Sequence, residues 1–386
     1  ENVFAEKTGK IVAAYGDRLS SPTPTATDSP IGITTNYPPV TREVDPTAGP
    51  TFQGGAGYTS QNWLTLPKGT TAERGAGRAV FAGGFVNPGV AGDYIESINI
   101  NSLGSSTVFG TLTSNGVPTS TSSATRQLIA GGYINPAILD NIDYITIASS
   151  GNPVDFGTLD TARRDMAGAS NNTRSVFGGG TTTGSTTATT NMEYLTSASL
   201  GNGTSFGTLT DSGRANAACA SPTRGIFFGG YKAYATPVST YTNVINYITI
   251  ATTGNGTDFG DITYGNSNDG KIGGQAAFSS STRGVLGGGA RYAGGATTSY
   301  NSIHYVTIST LGNTQDFGDL TTTKSYMSGS TNSVRGVFNQ GANPTYLNAI
   351  EYVTIASTGN SQDFGDAVNK SWTQTNAGSD SHGGLS

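Results

Sequence analysis

A repeated pair of strands joined by a glycine–asparagine turn constrains the fold of this 386-residue chain more than any other feature. One clear copy occupies residues 144–157, which read YITIASSGNPVDFG. β-Branched and aromatic residues flank Gly151 and Asn152 on both sides, and this pattern indicates a strand, a turn and a second strand. Glycine and asparagine tolerate the positive φ angles that tight hairpin turns require. The segment therefore predicts a β-hairpin.

The hairpin recurs along the chain at intervals of 46 to 58 residues. An aromatic residue marks the second strand of each copy, at Trp63, Phe109, Phe156, Phe206, Phe259, Phe317 and Phe364. Twelve residues before each Phe stands a tyrosine, except in the copy of Phe109, where Ser97 takes that place. A repeat of this length that contains several short strands is typical of a β-propeller or a similar array.

A second signature precedes each tyrosine and adds a further strand to the repeat. It is an arginine, a short apolar run and a glycine six residues after the arginine, and it begins at Arg78, Arg126, Arg174, Arg224, Arg283 and Arg335. We therefore predict four strands per blade. The first lies near 166–170, the second spans 174–178, the third starts near Tyr144 or its equivalents, and the fourth starts near Phe156 or its equivalents.

The two signatures differ in number, and this difference bears on the number of blades. The fourth-strand mark occurs seven times, whereas the arginine strand occurs six times. We expect residues 372–385 to supply the first two strands of a composite blade, and residues 51–52 and 63–66 to supply its last two. Closure of a ring removes exposed strand edges. The expected fold is an all-β, seven-bladed propeller over residues 51–386, with six blades as the alternative.

Residues 1–50 carry no copy of the repeat and hold seven of the 15 prolines. Such a segment is extended and packs poorly on itself. Two interpretations stay open, a linker and an N-terminal arm that docks onto other subunits of an assembly.

Charge and composition argue against several classes of function. The net charge is −5, and no basic block is present, which disfavours a nucleic-acid partner. The sequence has no apolar run of membrane length, so we expect no membrane insertion. Cys219 is the single cysteine and is expected to be a small buried residue. We expect no cofactor.

The order of these marker residues within each repeat resembles the order found in kelch propellers. These proteins carry an apolar strand that ends in two glycines, then a tyrosine strand, then a strand marked by tryptophan. The run 226–230, IFFGG, followed by Tyr247 and Phe259, matches that order with Phe in place of Trp. The sequence motifs YITI, GN and DFGD, together with HGGL at 382–385, also resemble repeats in structural proteins of tailed phages, including marine ones. The second resemblance implies a virion component.

From these resemblances we expect a non-enzymatic virion structural or appendage protein. Its propeller is expected to bind a host-surface glycan or protein, and its arm to bind other virion or surface-assembly subunits. The location implied is the virion, outside the cell. Two alternatives stay open: an adhesion module that is secreted by a bacterium or held on its surface, and a propeller glycosidase.

Loop lengths indicate which face of the propeller binds a partner. The tyrosine-to-phenylalanine interval is constant, whereas the second-to-third loops and the fourth-to-first connections vary in length. By strand alternation both variable segments open on one face, and variable loops often carry function. The longest ones hold the candidate binding residues Tyr231, Tyr234, Tyr241, Tyr264, Tyr292 and Tyr300. The alternative is that these tyrosines pack the loops onto the propeller.

The opposite face is expected to carry a girdle of ion pairs. Each arginine of the second signature starts a strand on that face, and each Asp before Phe ends a turn there. We expect pairing between Arg174, Arg224, Arg283 and Arg335 and the carboxylates of Asp155, Asp258, Asp316 and Asp363. Calcium prefers six to eight oxygen ligands, and each turn offers only two carboxylates, so no metal site is expected.

Overall fold

The computed structural model describes residues 77–87, 90–113, 116–182, 187–233, 239–264, 270–293, 295–371 and 377–385. The expected arm 1–50, the segments 51–52 and 63–66, and Tyr234 lie outside the described residues.

The described residues form six four-stranded antiparallel sheets, the blades, and two short hairpins. In chain order, blade 1 and its hairpin contain β1 (Arg78–Ala82), β2 (Phe85–Asn87), β3 (Val90–Ala91), β4 (Tyr94–Asn99) and β5 (Thr107–Thr111). Blade 2 contains β6 (Thr119–Ser122), β7 (Arg126–Ile134), β8 (Ala137–Thr146) and β9 (Val154–Thr158). Blade 3 contains β10 (Ala167–Ser170), β11 (Arg174–Gly178), β12 (Asn191–Thr196) and β13 (Thr204–Thr208).

Blade 4 contains β14 (Ala217–Ala220), β15 (Arg224–Ala233), β16 (Thr240–Thr249) and β17 (Thr257–Asp261). Blade 5 and its hairpin contain β18 (Ala276–Ser279), β19 (Arg283–Gly287), β20 (Ala290–Ala293), β21 (Ala296–Ser299), β22 (Ser302–Thr307) and β23 (Gln315–Asp319). Blade 6 contains β24 (Ser328–Thr331), β25 (Arg335–Asn339), β26 (Leu347–Thr354) and β27 (Gln362–Ser371). The chain returns to blade 1 through β28 (Ala377–Ser379), and a 3-10 turn follows at Gly383–Leu385.

The ring has six blades, so the expectation of seven was wrong and the alternative of six holds. The innermost strands β6, β10, β14, β18, β24 and β28 contact one another in that order, and β28 contacts β6. Strand β28 pairs directly with β1, with Ala79 opposite Ser379. The C-terminal segment therefore supplies the first strand of the blade that contains Arg78. No additional blade is needed to close the ring.

Strand bounds agree with the sequence pattern for the second and fourth strands and differ for the third. Strand β11 spans Arg174–Gly178, as predicted. The marker tyrosine lies near the end of the third strand, because β8 runs from Ala137 to Thr146 and Tyr144 is its third-last residue. The third strand therefore begins several residues earlier than predicted.

The turns between third and fourth strands, glycine–asparagine in five blades and Gly104–Ser105 in blade 1, join each blade to the outer strand of the preceding blade. Gly312 N of blade 5 donates to Phe259 O of blade 4 at 2.8 Å. Asn313 Oδ1 accepts from Asp261 N at 2.9 Å. Equivalent backbone bonds run from Gly104 to Phe364, Gly151 to Phe109, Gly201 to Phe156, Gly254 to Phe206 and Gly359 to Phe317. The constant spacing of the repeat thus fixes the contact between blades.

The hydrophobic core lies between neighbouring blades. Leu128 and Phe156 of blade 2 pack in one cluster with Met166, Phe177 and Leu195 of blade 3. Each of these side chains is almost fully buried. Burial of one such side chain contributes about 1.5–3 kcal/mol, so the apolar faces hold the blades together.

The six innermost strands converge on a narrow channel because they carry mainly Ala, Ser, Gly and Thr. The channel encloses a cavity of about 70 Å³. The C-terminal residues cover one end of it. His382 Nε2 lies 2.8 Å from Ser122 O, and Gly384 N donates to His382 Nδ1 at 3.1 Å. The imidazole is therefore neutral with its proton on Nε2. Burial lowers its pKa below the ordinary value.

Candidate ligand-binding site

The propeller has two distinct faces. The turn face carries the turns that join first to second and third to fourth strands, and the loop face carries the longer second-to-third loops and fourth-to-first connections. A pocket of about 520 Å³ opens on the loop face, and residues of five blades line it. Phe85, Arg164, Arg214, Tyr292 and Tyr326 represent blades 1, 3, 4, 5 and 6. We call this recess the axial pocket.

One wall of the axial pocket is charged. Asp165 Oδ2 accepts from Arg214 Nε at 3.1 Å and from Arg214 Nη2 at 2.7 Å. Both side chains are largely buried, so this ion pair is shielded from solvent. The neighbouring Arg164 stacks on Tyr133, with its guanidinium carbon 4.4 Å from the ring centroid. Arg164 Nε lies 3.9 Å from Asp165 Oδ2, which is beyond hydrogen-bonding distance.

An aromatic wall adjoins the charged one, since the guanidinium carbon of Arg214 lies 6.0 Å from the ring centroid of Tyr231. The hydroxyl groups of Tyr231 and Tyr326 lie 2.6 Å apart. Burial raises the pKa of both phenols well above the usual range, so both stay protonated at neutral pH. Tyr231 stacks at a tilt on Tyr241, with ring centroids 4.6 Å apart. The Tyr241 hydroxyl oxygen accepts from Tyr292 N at 2.6 Å, which holds the β20–β21 hairpin against the wall.

Two consecutive glycines in blade 5 make room for this aromatic wall. A Cβ atom on Gly273 would lie 2.6 Å from the ring of Tyr231. A Cβ atom on Gly274 would lie 2.9 Å from the ring of Tyr326. Real Cβ atoms do not approach so closely, so the position of both tyrosines depends on the glycine pair.

Three residues that line the pocket belong to a chain of residues with left-handed backbone angles. Asp165, Ala215, Gly274 and Tyr326 occupy the same place in consecutive blades and have φ values of 60°, 50°, 72° and 58°. Ala215 N donates to Asp165 O at 2.8 Å, Gly274 N to Ala215 O at 2.8 Å, and Tyr326 N to Gly274 O at 2.6 Å. Non-glycine residues in this conformation are unfavourable by about 1–3 kcal/mol and cluster at functional sites.

The structure divides the tyrosines that the loop lengths selected. Tyr231 and Tyr292 line the axial pocket, and the buried Tyr241 supports them. Tyr264 lies in the core between blades 4 and 5, where it stacks on His304 with ring centroids 4.2 Å apart. Tyr300 packs against Tyr264. Tyr241, Tyr264 and Tyr300 therefore pack the loops, whereas Tyr231 and Tyr292 lie at a recess.

The arginines of the turn face bind backbone carbonyls of the next blade. Arg174 donates to Ile250 O at 3.1 Å and to Ala251 O at 3.0 Å. Its guanidinium carbon lies 4.1 Å from the ring centroid of Tyr194. Equivalent bonds run from Arg78 to Ile147, Arg126 to Ser197, Arg224 to Ile308, Arg283 to Ile355 and Arg335 to Ile100. We call this contact the arginine clasp.

The clasps correct the expected ion pairs. Within the described part of the chain, Arg174, Arg224, Arg283 and Arg335 have no carboxylate within 4.0 Å. Asp155, Asp258, Asp316 and Asp363 are exposed on the outer strands. The carbonyls that end each third strand have no partner in the blade ladder, so they are better placed acceptors for the guanidinium groups. The described residues include no cluster of three or more acidic, His or Cys side chains suited to a metal.

Sequence reasoning missed the charged wall and the left-handed residues that line the pocket. Arg164, Asp165, Arg214 and Tyr326 all lie in the connections from a fourth strand to the next first strand. An alignment of the repeats on the first strand would have placed 164–165, 214–215 and 325–326 together, two to three residues before β10, β14 and β24. These aligned positions carry different residue types in different blades, whereas the arginine and phenylalanine that mark the strands recur in every blade.

The fold and the pocket define a six-bladed β-propeller with a recess on its axis. No protein-family model matches the sequence, and no significantly similar curated protein was found. Across the described residues, no helix has the length and apolar character needed to span a membrane.

Proposed function

We propose that the chain is a non-enzymatic binding module whose axial pocket holds a saccharide. The observation that carries this proposal is the pocket itself, in which tyrosine rings and a cluster of arginine and aspartate line one recess. Aromatic rings provide flat apolar area for the faces of sugar rings, and charged groups bind hydroxyl groups through strong hydrogen bonds. A volume of about 520 Å³ lies within the range of small-molecule sites, about 300–1,000 Å³.

The acidic groups at the pocket favour binding over hydrolysis. Glycosidases generally use two carboxyl groups, one on each side of the bond that breaks. Among the described residues that line the pocket, Asp165 is the only carboxylate. Its ion pair with Arg214 holds it in place as a hydrogen-bond acceptor. This arrangement supports a non-enzymatic role.

For the biological setting we propose a structural or appendage protein of a virion, outside the host cell. Two features support this setting. The sequence motifs of the repeat resemble those in structural proteins of tailed phages, and residues 1–50 form a proline-rich segment. The loop face then binds host-surface glycan, and residues 1–50 bind other subunits of the assembly. An adhesion module on a bacterial surface is the second candidate, since a saccharide pocket suits it equally well.

The saccharide proposal is tested by glycan-array screening followed by calorimetric titration of the saccharides that bind. Tyr292→Ala removes part of the aromatic wall and should weaken binding at least tenfold. Tyr305→Ala is the matched control, because Tyr305 is also half-buried but makes an edge-to-face contact with Phe317 near the turn face. Equal affinity of the Tyr292→Ala variant and the wild type, or loss of binding in the control alone, would refute the proposal.

A further inference from the structure

We infer, on the basis of the proposed saccharide site, that the ligand is an acidic sugar and that Arg164 binds its carboxylate. Arg164 lines the axial pocket, and its side chain is 27% exposed there. Its side chain makes no hydrogen bond to another described residue. The Nε is covered by protein atoms, so the terminal Nη groups are the donors that a ligand can reach. Donors of a guanidinium group that are free at a pocket favour an anionic ligand, because charge-assisted hydrogen bonds to a carboxylate are strong.

The placement of Arg164 suits recognition of a ligand. Stacking on Tyr133 fixes the plane of the guanidinium group. A planar group of fixed orientation can donate two parallel hydrogen bonds to one carboxylate. Arg214 differs, because its Nε and Nη2 already donate to Asp165. The two neighbouring arginines thus have separate roles, one within the wall and one toward the ligand.

The charge of the pocket favours an anion with a single negative charge. The described lining residues carry two guanidinium groups and one carboxylate, which leaves one positive charge in excess. Asp165 Oδ2 lies only 3.9 Å from Arg164 Nε. A doubly charged phosphate ester bound to Arg164 would be repelled by that carboxylate, whereas a sugar carboxylate carries one charge. A hydroxyl group next to the sugar carboxylate can donate to Asp165, which no oxygen of a dianionic phosphate can do.

The aromatic wall completes the case for an acidic sugar over a simple carboxylic acid. Tyr231, Tyr292 and Tyr326 line the same recess as the arginines. A sugar ring in this recess contacts a tyrosine with its apolar face while its carboxylate reaches Arg164. Sugars with a carboxylate and neighbouring hydroxyl groups, such as uronic or sialic acids, fit this set of contacts.

The test compares acidic oligosaccharides with their carboxyl-reduced counterparts in calorimetric titrations of the full chain. A panel of uronic and sialic acid oligosaccharides, their neutral counterparts and sulfated sugars of equal length is required. We expect the wild type to bind at least one acidic sugar at least tenfold more tightly than its reduced form. Arg164→Gln should abolish that preference and keep the weaker binding of the reduced form.

Two further variants keep the test sharp. Arg164→Lys retains the charge but loses the paired hydrogen bonds, so its preference should be intermediate. Lys271→Gln removes a positive charge from an exposed residue just before β18, outside the pocket lining, and should leave the preference unchanged. Unfolding midpoints of all variants establish that the fold is retained.

The possible results separate this inference from the proposed function. Equal binding of acidic and reduced sugars, with loss in Tyr292→Ala, would overturn the acidic-sugar inference and leave the saccharide site standing. Tighter binding of the sulfated sugars would overturn the preference for a carboxylate. Absence of binding to every saccharide of the panel and of the array would refute both proposals.

Discussion

Two glycines of blade 4 provide a test of how the repeat joins neighbouring blades. Gly254 lies in the turn and Gly260 in β17, and their φ values are 158° and 145°. An alanine at either place therefore suffers similar backbone strain, of about 1–3 kcal/mol. A Cβ atom on Gly254 would meet nothing within 4 Å, whereas one on Gly260 would lie 2.5 Å from Gly312 O of blade 5. The pair differs mainly in that contact.

The magnitude follows from the clash. Real Cβ contacts under 3.0 Å essentially do not occur, so blade 5 must move away by about 0.5 Å or more when residue 260 is alanine. Overpacking of this kind costs about 1–3 kcal/mol. The movement also weakens the bonds from Gly312 N to Phe259 O and from Asp261 N to Asn313 Oδ1, each worth about 1 kcal/mol. Gly260→Ala should therefore lower the free energy of unfolding by about 2–4 kcal/mol more than Gly254→Ala.

The assay is urea unfolding monitored by far-UV circular dichroism. The two variants and the wild type are compared at equal pH and temperature. The difference between the variants is the informative quantity, because it cancels the strain that both share. Equal destabilisation by the two substitutions would refute the conclusion that the glycine–asparagine turn of one blade rests on the outer strand of the preceding one.

Three further outcomes are expected. Arg174→Ala should lower the free energy of unfolding by about 1–3 kcal/mol in chemical denaturation, because it loses two carbonyl bonds and the contact with Tyr194; an unchanged value would contradict the arginine clasp. Burial lowers the pKa of His304 to about 4, so the unfolded state binds the proton first as pH falls from about 6.5 to 4 and stability is lost in that window. The loss between pH 7 and 5 should be about 2 kcal/mol in urea unfolding and should shrink in His304→Asn, and an equal loss in that variant would exclude His304 as the cause. Burial raises the pKa of the Cys219 thiol to about 12, so thiol reagents should modify it only on unfolding, and rapid modification of the folded chain would contradict its burial.

The periodic marks of the sequence predicted the blade but not the number of blades. Each arginine of the second signature is the first residue of the second strand of one blade, so six such arginines correspond to six blades. A seventh aromatic residue in the series, Trp63, led to the incorrect prediction of seven blades. Periodicity reports how one repeat is built, whereas closure depends on β28 pairing with β1 across almost the whole chain, which no local pattern encodes.

The contacts of the repeat were predictable to different degrees. The asparagine that follows five of the six turn glycines was identified as a turn residue, and its bond to the preceding blade was not. The arginines were placed on the correct face, but carboxylates were expected where carbonyls stand. A charged residue in a pattern indicates that it needs a partner, and the choice between a side chain and a backbone oxygen depends on the spacing of the blades.

The sequence predicted the face on which the axial pocket opens, but not the pocket itself. Unequal loop lengths pointed to the loop face and to Tyr231 and Tyr292, which do line the recess. Arg164 and Asp165 escaped notice because they vary between repeats and lie far apart in sequence from the tyrosines. Only the ring brings them together.

A crystal structure of the chain with an acidic oligosaccharide that binds in solution tests the central claim most directly. The sugar is predicted to lie in the axial pocket, with its carboxylate within about 3 Å of the guanidinium nitrogens of Arg164 and its ring against Tyr292 or Tyr326. A sugar bound on the turn face, or bound in the pocket with its carboxylate directed away from Arg164, would contradict the account.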